Sequence, residues 1–140
     1  MDIRTCSMLS SAVTALAVFL GACAGMTAGE PPHESFDRYS RYAGPPIDHF
    51  NYLGRLSGWN ALDNQHVVIF LGINDAYLLT VEPYCHQLPF VQSLQLSATS
   101  STVMRGFDYV KAGEDRCHIQ EIRKVDYGQM KRDLRAEKHH

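Results

Sequence analysis

The first apolar stretch of the chain occupies residues 8–20 and is followed by Gly21, Ala22 and Cys23. It is shorter than the ~20 apolar residues that a membrane-spanning helix needs. A short apolar stretch that ends in small residues is typical of a cleaved secretory leader. The pattern therefore predicts a signal peptide over residues 1–22.

A cysteine directly after such a leader looks like a bacterial lipoprotein signal, in which the Cys23 sulfur takes a diacylglycerol before cleavage. Two or more acyl chains hold a protein firmly at a membrane. Ala24 follows the cysteine, and by resemblance to lipoprotein sorting this favours the periplasmic face of the outer membrane. The alternative is ordinary cleavage near residues 22–24. Residues 23–35 are poor in large apolar groups and predict a lipidated tether.

After the tether, the chain has one short helical pattern near its N-terminal side and another at its C-terminus. The first has three aromatic residues at positions i, i+3 and i+6, and a Gly-Pro-Pro sequence ends it; these residues are Phe36, Tyr39, Tyr42 and residues 44–46. The second is a charged segment, residues 127–140, with apolar side chains at i and i+4. It predicts a charged tail that forms a short exposed helix.

Between these helices the apolar residues follow the period of β-strands. Residues 66–71 form an unbroken β-branched and aromatic run, which indicates a strand buried on both faces or one that closes a barrel. A turn at residues 72–75 joins it to a second strand at residues 76–82, which together predict a hairpin. In the last strand, residues 116–125, two isoleucines break strict alternation and indicate a β-bulge.

Further apolar alternation begins at Phe50, at residues 94–96 and over residues 103–110. About six strands separated by turn residues predict a mainly β fold for residues 36–126. We expect a small antiparallel sandwich, roll or barrel, with short helical segments at its N-terminal side and at the C-terminus.

Charge excludes some functions. The formal net charge is −2, and no polybasic face is evident, so nothing in the sequence indicates nucleic-acid binding or electrostatic attachment to a membrane. No sequence pattern indicates a cofactor.

Two cysteines, Cys85 and Cys117, remain beyond the leader and the lipidation position. In an oxidising compartment such a pair most simply forms a disulfide. Each is followed by a histidine, so a zinc site made with His86 and His118 is the alternative. Adjacent residues of a strand point to opposite faces, which counts against the zinc site. We therefore predict a disulfide and no metal.

Carboxylate and imidazole groups are close in sequence at two places, Asp48 with His49 and Asp63 with His66. Such pairs can provide a general base, but polar surface loops contain them more often. The Gly-x-Ser-x-Gly, Ser-x-x-Lys and His-Glu-x-x-His patterns are all missing from the sequence. We predict no catalytic residues and no enzymatic activity.

A cluster of arginine and aromatic residues offers a binding surface for a glycan or a protein, because cations and aromatic rings attract each other. The residues that we expect to form it are Arg41, Tyr42 and Trp59. The alternative is that the aromatic rings pack against one end of the β domain and the arginines are solvated.

Several stretches, in their order and spacing, resemble a family of small uncharacterised envelope proteins, often lipoproteins, from Gram-negative bacteria that is classified as a domain of unknown function. The stretches are residues 41–46, 58–59, 74–79, 85–90 and 116–123. The resemblance covers roughly residues 37–126. It implies an envelope location and a Cys85–Cys117 bridge, and it brings no activity and no catalytic residues.

Together these patterns predict a non-enzymatic, lipid-anchored envelope protein that binds an envelope protein or a cell-wall component, or has a structural role. The alternative is a periplasmic lipoprotein that binds a small molecule or a glycan near Trp59.

Overall fold

The computed structural model describes residues 32–139, with side chains from Ser35 onward. The helices are α1 (Pro32–Arg41) and α2 (Tyr127–Lys138). The strands are β1 (Ala43–Ile47), β2 (His49–Asn51), β3 (Gly58–Ala61), β4 (His66–Phe70), β5 (Ala76–Val81), β6 (Leu94–Leu96), β7 (Thr102–Met104), β8 (Tyr109–Ala112) and β9 (Asp115–Val125). A 3₁₀ helix covers Leu88–Phe90.

Six strands form an antiparallel, nearly closed barrel in the order β3-β4-β5-β9-β8-β6. Strand β9 is long enough to pair with two strands along one edge, β8 in its first half and β1 in its second half. Strand β5 pairs with β9 along the opposite edge. Strands β2 and β7 form a separate two-stranded ribbon. The predicted mainly β fold with a helix at each end is confirmed.

The predicted signal peptide, Cys23 and most of the predicted tether lie outside the described residues. Helix α1 begins at Pro32, within the segment assigned to the tether. No helix in residues 32–139 is both long enough and apolar enough to cross a membrane.

Strand β4 explains why residues 66–71 lack polar alternation. Val67 and Ile69 face the main core inside the barrel, whereas Val68 belongs to a second apolar cluster on the outer face. All three side chains are fully buried. The prediction of a strand buried on both faces is confirmed, as is the hairpin with β5.

The two helices cover the outer face of the barrel. Tyr39 from α1 and Met130 from α2 are buried in the second cluster. Helix α2 begins after Asp126, whose carboxylate accepts a hydrogen bond from the Gln129 backbone N–H at 2.9 Å, a typical N-cap. The C-terminal helix is therefore present, but Met130 anchors it to the sheet instead of leaving it exposed.

The predicted bulge lies in β9 opposite the end of β5. Thr80 pairs with Glu121 and the next residue, Val81, pairs with Ile119, so Gln120 is the extra residue. A bulge of this kind lets two neighbouring side chains face the same side of a sheet.

Two local expectations differ from the structure. The alternating segment of residues 103–110 is broken between β7 and β8 by a tight turn, in which the Met104 backbone N–H donates to the Asp108 carboxylate at 2.8 Å. Asp108 is consequently buried and Phe107 is exposed.

The Gly-Pro-Pro sequence ends α1 as predicted, yet Pro45 and Pro46 then continue as β1, where the pairing with β9 is irregular. Proline fits such a position because it has no backbone N–H to donate.

Candidate functional site

The two cysteines predicted to pair are joined in a disulfide. Cys85 follows β5 and Cys117 lies in β9, with their Cα atoms 5.6 Å apart. Both side chains are buried. Asp115 also lies close to the two sulfurs, and its carboxylate accepts from the Gln87 backbone N–H at 2.9 Å. The bridge uses the two thiolates that the alternative zinc site would need.

The histidines of that alternative site are both exposed, and each lies near an aromatic ring. His86 lies edge-on to Tyr84, and His118 lies edge-on to Tyr109.

The residues of the predicted arginine and aromatic surface are spread over two clusters. Trp59 in β3 pairs with Ile69 and packs against the main core inside the barrel. Tyr42 packs against the second cluster, under the helices, and Arg41 is exposed at the end of α1. The structure therefore does not bring Trp59 and Tyr42 together on one surface.

Tyr42 is tied to α2. Its hydroxyl donates a hydrogen bond to the Asp133 carboxylate at 2.9 Å. This hydrogen bond, followed by desolvation, raises the pKa of Tyr42 above its ordinary value, because the bond stabilises the protonated hydroxyl.

At one end of the barrel, three loops surround a groove of about 580 Å³ that we call the loop-end groove. Its lining residues come from the β2–β3, β4–β5 and β6–β7 loops and their adjoining strands: Asn51, Leu53, Arg55, Leu71, Asp75, Ser100, Ser101 and Thr102. Two aliphatic side chains in these loops are almost fully exposed, Leu53 at 87% and Ile73 at 84%. Exposed aliphatic groups next to polar ones are typical of binding surfaces.

The wall of this groove contains an unusual turn. Ser100 and Ser101 both have positive φ, 52° and 62°, a conformation that costs a residue with a side chain about 1–2 kcal/mol. Thr99 and Thr102 exchange two backbone hydrogen bonds on either side of them. This is the geometry of a two-residue hairpin turn, which normally contains Asn-Gly. Backbone strain of this kind is often found at functional sites.

A second groove, of about 460 Å³, lies on the outer face of the barrel beside α1. We call it the His66 groove. Its lining residues come from α1, β4, β5 and β9: Phe36, Ser40, His66, Leu78, Thr80, Gln120, Glu121 and Arg123.

His66 is held in place from two sides. Its Nδ1 lies 2.8 and 2.9 Å from the two carboxylate oxygens of Asp63. The same carboxylate accepts the backbone N–H groups of Gln65 and His66, both at 2.7 Å. The Phe36 ring lies against the imidazole, with 4.1 Å between the ring centroids. Asp63 and His66 thus form the carboxylate–imidazole pair that the sequence offered.

The bulge in β9 builds the opposite wall of the His66 groove. Gln120 and Glu121 both line the groove, together with Arg123. The Arg123 Nε–H donates to the Glu121 carboxylate at 2.6 Å. The second carboxylate–imidazole candidate forms no such site, since the partner of Asp48 is Arg105, at 2.7 Å.

Sequence reasoning identified the Asp63–His66 pair but neither of the two grooves as a site. The available signals were weak: the broken alternation around Gln120 for the His66 groove, and consecutive serines between short strands for the loop-end groove. Both grooves combine segments that are distant along the chain.

Comparison with known proteins gives a family and no activity. No curated protein and no solved structure matches the chain significantly. The model of a family described as "Family of unknown function (DUF6491)" matches residues 6–140. This agrees with the resemblance to a domain of unknown function drawn from the sequence. Because the match extends over nearly the entire sequence, the chain belongs to the family of unknown function DUF6491.

Proposed function

We propose that this chain is a non-enzymatic, lipid-anchored protein of the bacterial envelope whose β domain binds a partner protein through the loop-end groove. The single observation that carries the binding role is the exposure of Leu53 and Ile73 beside a groove that also contains charged side chains. Apolar groups in the centre and polar groups at the rim are the arrangement that protein interfaces use.

The chemistry of the groove favours a protein as the partner. Arg55 and Asp75 line the groove with opposite charges, so no single sign of charge is available to attract a polyanion. The hydroxyl groups of residues 100–102 add hydrogen-bonding capacity next to the aliphatic side chains. A peptide surface offers matching apolar, charged and amide groups.

Two hydrogen bonds tie these loops to neighbouring parts of the fold, which favours an ordered surface before binding. The Lys131 ammonium of α2 donates to the Ile73 carbonyl at 2.9 Å, and the Tyr52 backbone N–H donates to the Ser101 carbonyl at 2.8 Å. Preorganised loops lose less conformational entropy on association.

The disulfide supports the envelope location, because such bonds persist mainly in oxidising compartments. The leader and Cys23 support lipid anchoring. The eight residues between Cys23 and α1, residues 24–31, would span about 30 Å when extended, enough to hold the domain away from the bilayer surface.

The binding role is tested by placing a photo-crosslinking amino acid at Ile73 in the full-length protein in intact bacterial cells. Phe107 is the matched control, since it is apolar and 77% exposed but lies in the β7–β8 turn, which is not one of the three loops that surround the groove. We expect one discrete crosslinked protein from position 73 and none from position 107. The absence of any specific adduct at position 73, or the same adducts from both positions, contradicts the proposal.

The anchor is tested separately by metabolic labelling with an alkyne fatty acid in a Gram-negative host. Wild type is expected to take the label and to fractionate with membranes, and Cys23→Ser to lose both properties. Cys6→Ser, which changes a cysteine inside the leader, is the control and should keep the label. A label that persists in Cys23→Ser excludes lipidation at this residue.

A further inference from the structure

The His66 groove is a second site, independent of the loop-end groove. Its volume of about 460 Å³ is within the range of ~300–1,000 Å³ that is typical of sites for small molecules. The charged groups and the apolar surfaces that border it indicate which class of ligand fits.

The charges of the groove are paired within the protein. Glu121 forms an ion pair with Arg123 at 2.6 Å, and Asp63 contacts His66 at 2.8 Å. The groove therefore offers neither an excess of cations for an anion nor an excess of carboxylates for a metal ion or an amine. A neutral ligand suits this electrostatic balance.

The polar groups are rich in both donors and acceptors. Because Nδ1 of His66 faces Asp63, Nε2 is the nitrogen that can meet a ligand. The guanidinium of Arg123 uses Nε–H for Glu121, which leaves its terminal NH₂ groups as donors. Thr80 adds a hydroxyl and Gln120 an amide. A ligand hydroxyl group can both donate and accept a hydrogen bond, so it can pair with either the donors or the acceptors of the groove.

The floor and one side of the groove are apolar. Leu78 is buried beneath it, and Phe36 covers one side with its ring held against His66. A ligand that combines a ring of hydroxyl groups with an apolar C–H face matches such a mixed surface.

We infer that the His66 groove binds a neutral, hydroxyl-rich ring: a sugar unit of the hexose type, either free or as part of an envelope glycan. His66, Glu121 and Arg123 bind its hydroxyl groups, and Leu78 and Phe36 contact its apolar face. The β9 bulge is what makes this possible, since it places Gln120 and Glu121 on the same side as Arg123. This inference does not rest on the partner protein proposed for the loop-end groove.

Saturation-transfer NMR on the full-length protein tests the proposal with glucose, N-acetylglucosamine and a soluble neutral oligosaccharide as probes, at concentrations up to about 50 mM, well above a millimolar Kd. We expect transfer to at least one of them. Transfer to the monosaccharides indicates a free sugar, and transfer confined to the oligosaccharide indicates a glycan. No transfer to any of the three probes overturns the proposal, and so does stronger binding of inorganic phosphate at the same site.

Variants locate the site. His66→Ala is expected to weaken sugar binding at least tenfold, and Glu121→Gln, whose side chain is partly exposed and so less needed for folding, several-fold. His118→Ala removes an exposed histidine of the same sheet outside the groove and should bind like wild type. Circular dichroism confirms that each variant is folded. Unchanged binding in both groove variants overturns the proposal, whereas the crosslinking result at Ile73 is unaffected by either outcome.

Discussion

Removing the Cys85–Cys117 bridge should strongly destabilise the domain. The two cysteines are separated by 32 positions, and the loop that they close lowers the entropy of the unfolded chain by about 12 cal/mol/K, or about 3.7 kcal/mol at 25 °C. Both side chains are buried, at 0% and 2% exposure, so replacing them by alanine also removes packing contacts. We expect Cys85→Ala/Cys117→Ala to lose about 4 kcal/mol, a large part of the 5–15 kcal/mol that stabilises an ordinary domain.

The measurement is urea unfolding followed by circular dichroism, with the wild-type protein, in which the bridge is intact, as the reference. For a domain of this size the loss corresponds to a decrease in Tm of about 15 °C. The slope of the unfolding free energy against urea should increase, because the unfolded chain without the bridge is more expanded and exposes more surface.

Two results would refute this reasoning. If the double variant unfolds within about 1 kcal/mol of the wild-type protein, loop closure does not contribute in the way that the entropy estimate assumes. If native, unreduced protein gives two titratable thiols at Cys85 and Cys117, the bridge itself is absent.

Three further changes test other parts of the structure. Ser101→Gly should stabilise the fold by about 1 kcal/mol in urea unfolding, because glycine adopts the positive φ of 62° without strain; a loss of stability would contradict the strain argument. Gly113→Ala should cost more than about 1 kcal/mol in the same assay, since its φ is also positive and the new Cβ would overlap the Gln87 side chain; an unchanged midpoint would contradict both the cost of the positive φ and the overlap. Burial raises the pKa of Tyr77 above 10.0, so wild type should lose stability relative to Tyr77→Phe as the pH rises through about 10, and not below it. Parallel pH profiles of unfolding free energy for the two proteins would exclude that linkage.

The parts of the fold that the sequence predicted are those in which local pattern and tertiary environment agree. The run at residues 66–71 is apolar throughout because β4 has the barrel core on one face and the helices on the other. The hairpin to β5 follows from the turn residues between the two strands. The bulge in β9 is visible in the sequence because Ile119 and Ile122 both face the core although their spacing is odd, which regular alternation forbids.

Other elements depend on contacts that no local pattern specifies. Alternation over residues 103–110 would continue as one strand, yet Asp108 accepts hydrogen bonds from Ser97 and from the Met104 backbone and closes a tight turn instead. Strand β3 contains a glycine and an asparagine, residues that strands disfavour, and its pairing with β4 decides its conformation. The sequence suggests that Tyr42 and Trp59 share one binding surface, but their rings lie on opposite faces of the sheet.

The features proposed as sites are places where the chain departs from the regular pattern. Strict alternation in β9 would turn either Gln120 or Glu121 into the barrel, where an unpaired amide or carboxylate would be costly. The bulge avoids this cost and brings both polar side chains to the outer face beside Arg123. Likewise, Ser100 and Ser101 occupy a turn in which glycine would be more stable, and they retain hydroxyl groups at the loop-end groove. At the His66 groove, the bulge exposes polar groups that a regular strand would bury. At the loop-end groove, the strained turn keeps hydroxyl groups that a more stable glycine turn would lack. These two irregularities are the reason why we propose that both grooves bind ligands.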